Sequence, residues 1–164
     1  MYKFYFALLI ILGLAACNIN QTQQFDQLVE ITDPNHVLFG VKAEYNKDTF
    51  ITPVNLEFGY APAQAPILYN HYYMSPPVHI GPTAHPLNAN QFVRLTLPLR
   101  SYNNGTGMAD PEIFFNDIYV LGWGDNGWET LDIVKKTKDS ISIDIDQIIY
   151  SPFVAVADND RATK

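Results

Sequence analysis

The sequence predicts an all-β chain folded as an antiparallel β-sandwich. Two observations carry that expectation: apolar and polar residues alternate with a period of two through much of the chain, and Pro, Gly, Asn and Asp cluster between the alternating runs. Alternation places successive side chains on opposite faces of a strand, so one face is buried while the other stays wet. Helical periodicity is scarce, and many short strands at this spacing pack as two facing sheets.

In chain order the candidate strands are Gln27 to Ile31, Val37 to Tyr45, Phe50 to Tyr60, Ile67 to Met74, Phe92 to Leu97, Ile113 to Leu121, Trp128 to Val134, Ser140 to Ile145 and Phe153 to Ala157. In the Ile67 to Met74 segment, alternation sends Tyr72 and Met74 to one face and His71 and Tyr73 to the other. From Asp117 to Asp146 the chain reads as a three-stranded meander, its first hairpin closed by Gly124-Asp125-Asn126-Gly127. Asn126 and Gly127 are expected to supply the positive φ angles of that tight turn. In the last strand Ile141, Ile143 and Ile145 face the core, which leaves Ser142, Asp144 and Asp146 in water. Residues 25–158 form one domain, large enough to bury about two-thirds of its chain surface, and residues 159–164 are a polar tail.

The first 16 residues carry Lys3 and then an apolar run from Phe4 to Ala16. That run is short for a membrane span, which takes roughly 20 apolar residues, and suits a secretory signal peptide. Leu14-Ala15-Ala16-Cys17 resembles the bacterial lipobox, which implies cleavage before Cys17 and a diacylglycerol on its thiol. Cys17 is the single cysteine, so the mature chain has neither a free thiol nor a disulfide outside the cytoplasm. Several acyl chains on one residue anchor firmly, since each buried methylene contributes about 0.8 kcal/mol. Residue 18 is Asn rather than the Asp that retains such proteins at the inner membrane, which implies the outer membrane. Residues 17–24 then act as a polar tether.

Loss of Lys3 with the leader moves the formal charge from -7 to -8. An acidic chain whose one basic run is Lys135, Lys136 and Lys138 lacks the cations that neutralise nucleic-acid phosphates. Catalytic patterns are also missing: there is no G-x-S-x-G elbow, and no serine stands next to a histidine in a glycine-rich turn. His36, His71, His79 and His85 show no metal-ligand spacing, and Asp125 with Asn126, or Asp144 with Asp146, does not make a calcium loop. No metal or cofactor is expected. Asp110, Glu112, Asp117 and Glu129 are available for acid-base work on a glycoside but nothing pairs them. Tyr69, His71, Tyr73, Trp123 and Trp128 are the candidates for binding a carbohydrate or other small ligand.

Four segments together are similar to a ZU5-like domain. They are "SPPVHIGP" (residues 75–82), "FVRLTLPL" (92–99), "IYVLGWGDNGWETL" (118–131) and "IIYSPFVAVAD" (148–158). The resemblance implies an immunoglobulin-like sandwich covering about residues 72–158. The loop from Thr83 to Gln91 is longer than in the family, and residues 25–60 are not matched. Some ZU5-type domains cut their own backbone at a His-Phe-Ser corner, with serine as nucleophile and histidine as base. Here the corner reads Ile149-Tyr150-Ser151, so the nucleophile is present without its base, which argues against self-cleavage between Tyr150 and Ser151. The expected function is a non-catalytic binding or scaffolding module, lipid-anchored in the envelope, with an envelope protein or a glycan as partner. A metal-assisted or glycoside-directed hydrolase is the third alternative.

Overall fold

Two antiparallel sheets face each other in a computed structural model of the chain, which describes residues 24–62, 71–82, 86–102, 109–146 and 151–158. The expected signal peptide, Cys17, Tyr69, His85, Tyr150 and the polar tail lie outside the described residues. The strands are β1 (Gln27–Glu30), β2 (Lys42–Tyr45), β3 (Glu57–Tyr60), β4 (His71–Tyr73), β5 (Val78–Gly81), β6 (Val93–Pro98), β7 (Ile118–Gly124), β8 (Gly127–Leu131), β9 (Ile133–Lys136), β10 (Ser140–Ile145) and β11 (Phe153–Asp158). One sheet has the order β1-β2-β6-β10-β9, and the other has β3-β5-β11-β7-β8 with β4 also paired to β11. Residues 27–60, which the family resemblance left unmatched, thus supply strands to both sheets.

The core lies between the sheets. Ala43, Val93, Leu95, Leu97, Ile141, Ile143 and Ile145 face it from one side, and Val78, Ile80, Ile118, Val120, Phe153, Ala155 and Ala157 from the other. The alternation expected in β10 is present, with its three isoleucines buried. Its opposite face is less wet than expected. Ser142 is buried and its hydroxyl bonds that of Thr96 at 2.9 Å. Asp144 accepts two bonds from the Arg94 guanidinium at 2.8 and 2.9 Å, and Arg94 also stacks over Phe25 and Phe92.

Several strands begin later than alternation alone predicts. The backbone turns from Asp33 to Gly40, which adopts φ +84°, so β2 starts only at Lys42. Residues 51–56 are not extended into the sheet; Phe50 makes only a bridge to Leu87, and Pro53 lacks the N–H a ladder needs. Residues 111–117 are turns and one short 3-10 turn, and β7 starts at Ile118.

The predicted meander is corrected. The β7–β8 hairpin belongs to one sheet, and β9 and β10 belong to the other. The run from Trp128 to Val134 therefore breaks at Asp132 and changes sheets. In the hairpin Gly124 pairs with Gly127, and Gly127 takes the left-handed φ of +103°, whereas Asn126 keeps a negative φ. Lys136 closes the seam between the sheets: its Nζ donates to the Ile118 carbonyl at 3.0 Å and sits over the Phe115 ring.

Candidate functional site

The outer face of the six-stranded sheet carries most of the residues nominated from the sequence. Cross-strand partners share a face. Register pairs Trp123 with Trp128, Leu121 with both Thr130 and Val154, and Val156 with both Tyr119 and Tyr73. All of these alternate with core residues, so they form the opposite face. Tyr73, Leu121, Val154 and Val156 are buried there as a second apolar cluster, covered by Tyr102, Tyr119 and Trp128.

The nominated residues separate by exposure. Tyr73 is 1% exposed and stacks on Tyr102 with centroids 6.2 Å apart, so it is packing rather than a binding platform. Tyr102 in turn meets Tyr60 edge-on, with their hydroxyls hydrogen-bonded. His71 is half-buried and lies edge-on to Tyr119 at 6.0 Å. Among the nominated residues that are described, Trp123 alone is open to solvent, at 46% exposure, propped edge-on by half-buried Trp128 at 5.6 Å.

Beside Trp123 opens a surface cavity of about 380 Å³, lined by Trp123, His79, Ser151 and Pro152. Its size falls within the range of about 300–1,000 Å³ common for small-molecule sites. The backbone fixes its floor: Ser151 N–H donates to the Trp123 carbonyl at 3.0 Å, and Trp123 N–H donates to the Pro152 carbonyl at 3.1 Å. The lead-in to β11 is therefore tied to the end of β7.

His79 reaches the same cavity from β5. It pairs with Gly59 of β3; a Cβ at Gly59 would lie 3.8 Å from the ring Cδ2, and one at Gly81 would lie 3.5 Å from Nε2. Its Nδ1 is 2.6 Å from Ser151 Oγ, and Ser151 Oγ also accepts the Ile80 N–H at 3.3 Å. On its other side His79 lines a second cavity of about 400 Å³ with Asn55, Glu57, Phe58, Gly59, Gly81 and Pro82.

The contact between Ser151 and His79 corrects the expectation that Ser151 has no base beside it. The residue at position 149 is indeed isoleucine, but an imidazole arrives from 72 residues upstream. A single sequence holds no signal for this pair, because the β5–β11 pairing that joins them is a tertiary fact. Of the four lining residues only Trp123 is a binding candidate from the sequence; His79, Ser151 and Pro152 are not.

The remaining candidates stay dispersed. His36 Nδ1 accepts the Leu38 N–H at 3.0 Å within its own turn. Asp110 caps the Glu112 N–H at 2.9 Å. Glu129 lies apart from both, in an acidic depression with Asp132, Asp144 and Asp146. Among the described residues no three His, Cys, Asp or Glu side chains are placed to share a metal ion. In the loop from Thr83 to Gln91, Thr83 and His85 lie outside the described residues, while Asn88 Nδ2 ties the loop to the Asp48 carbonyl at 2.6 Å. No protein-family model matches the chain, and no curated protein matches it.

Proposed function

We propose that the mature chain is a lipid-anchored binding module of the bacterial envelope, ZU5-like in its sandwich, with its ligand site at the Trp123 cavity. The observation that carries this is an exposed indole, braced by a second tryptophan, forming the wall of a cavity that also presents an imidazole and a hydroxyl. An indole face takes apolar ligand surface, and the two polar groups fix orientation.

The concave shape favours a carbohydrate or another small uncharged ligand over a broad protein partner, since no charged side chain lines the cavity among the described residues. On this proposal the site binds without turning over, and the chain stays uncut at Tyr150. The tether and the lipid on Cys17 hold the domain at the membrane, with the outer membrane implied by Asn18.

The anchor is tested by fractionating cells that express the wild-type chain and Cys17→Ala. The wild type is expected in the membrane fraction carrying labelled palmitate, and the variant is expected to be released. A Cys17→Ala chain that remained membrane-bound would overturn the lipid anchor. Intact mass of the purified mature chain checks that no fragment begins at Ser151.

A further inference from the structure

We propose that Ser151 and His79 are a nucleophile–base pair through which the cavity captures an acyl group covalently from an uncharged carboxylic ester. Serine hydroxyls are poor nucleophiles until an adjacent base takes the proton. The 2.6 Å separation of Ser151 Oγ and His79 Nδ1 lies within direct proton-transfer reach.

The hydrogen-bond directions suit that role. Ile80 N–H occupies one lone pair of Oγ, so the hydroxyl proton has Nδ1 as its acceptor when the neutral imidazole carries its own proton on Nε2. Among the described residues Nε2 has no hydrogen-bond partner, and His79 and Glu57 both line the second cavity. A structural role for Ser151 needs only the Ile80 bond, whereas the short contact to the histidine goes beyond that need.

Uncharged esters fit the walls, because Trp123 and Pro152 offer apolar surface and, among the described residues, no charged group lines the Trp123 side. Oγ attacks the ester carbonyl carbon as Nδ1 takes its proton. The bond to the alkoxy oxygen then breaks, and that oxygen takes the proton back from Nδ1. The products are an acyl ester on Ser151 and a free alcohol, with no change in oxidation state. The N–H groups of Ser151 and Trp123 are already committed to backbone carbonyls, so neither can serve an oxyanion. Slow, stoichiometric acylation is expected rather than fast turnover.

The inference rests on the same cavity as the proposed binding function, yet the two fail separately, because acylation requires neither the lipid on Cys17 nor a reversible ligand. The test is to incubate the full chain in detergent with p-nitrophenyl acetate, and in parallel with a fluorophosphonate, and to read intact mass and the modified peptide. One label per chain on Ser151 is expected, slowed at least about tenfold in His79→Gln. If Ser151→Ala disturbs folding, Ser151→Cys replaces it: acetyl transfer to the thiol should be faster with His79 than in the Ser151→Cys, His79→Gln double variant. Labelling spread over other serines and lysines with Ser151 spared would overturn the proposal. So would an unchanged rate in His79→Gln, or a fragment beginning at Ser151, which would mean that the hydroxyl acts on its own backbone.

Discussion

Ser75 and Ser151 stand at reciprocal positions. Ser75 Oγ, wholly buried, accepts the Ala155 N–H of β11 at 2.9 Å, while Ser151 Oγ accepts the Ile80 N–H of β5 at 3.3 Å. Each serine precedes a proline, where the neighbouring chain has no ladder N–H to meet, and each hydroxyl fills the gap in pairing between the two strands. Ala155 shows the logic: its carbonyl takes the Met74 N–H at 2.8 Å, so its own N–H on the same side needs an acceptor where β4 has ended. Ser75→Ala removes that acceptor and leaves a buried N–H unpaired. A loss of about 1–3 kcal/mol is expected in urea unfolding. An unchanged midpoint would show that the hydroxyl is dispensable. Both Ser-Pro pairs are visible in the sequence as pieces of a family-like motif, but what each hydroxyl bonds is not, because the partner lies some 70 to 80 residues away.

Strands with strong alternation were legible, and the joints between them were not. In β10 the isoleucine period matches the core face residue for residue, and β6 and β11 lie within a residue or two of expectation. The failure comes at Asp132, where one residue transfers the chain from one sheet to the other inside an apparently continuous run. Alternation reports which side faces a core, and both sheets face the same core, so a switch between them leaves the pattern almost intact. The β7–β8 hairpin depends on a different feature, the positive φ of Gly127. Gly127→Ala should cost roughly 1–2 kcal/mol, the penalty for a side chain in left-handed backbone. Because Trp123 and Trp128 face each other across this turn, the substitution should also shift tryptophan emission, whereas an unchanged unfolding curve would contradict the turn geometry.

For the molecule as a whole, the two outer faces differ in chemistry. The five-stranded sheet exposes ion pairs, such as Arg94 with Asp144 and Lys42 with Glu44, whereas the six-stranded sheet carries an aromatic layer. The nominated aromatics could be read from composition, but which of them is packing and which is open depends on register. Tyr73 and Trp123 look alike in sequence, yet one is buried and the other exposed.

Burial also leaves a mark on stability at high pH. Burial first, and then the nearby carboxylates Asp26 and Asp158 respectively, raise the Tyr45 and Tyr119 phenols above their ordinary value of 10.0. The native state therefore holds these protons more tightly than the unfolded chain. Their contribution is full below about pH 10 and is lost as pH rises through the folded values. Unfolding midpoints should fall with alkali above about pH 10, and Tyr119→Phe should flatten that fall; an equal slope in the variant would contradict the shift.

The central claim is that the outer face of the six-stranded sheet holds a ligand site at Trp123. Its most direct measurement is binding of the purified full chain to a glycan and small-ligand array, run beside Trp123→Ala of matched unfolding midpoint. Ligands retained by the wild type and lost by the variant are the predicted result. No ligand for the wild type at high protein concentration, or equal binding by both chains, would contradict it.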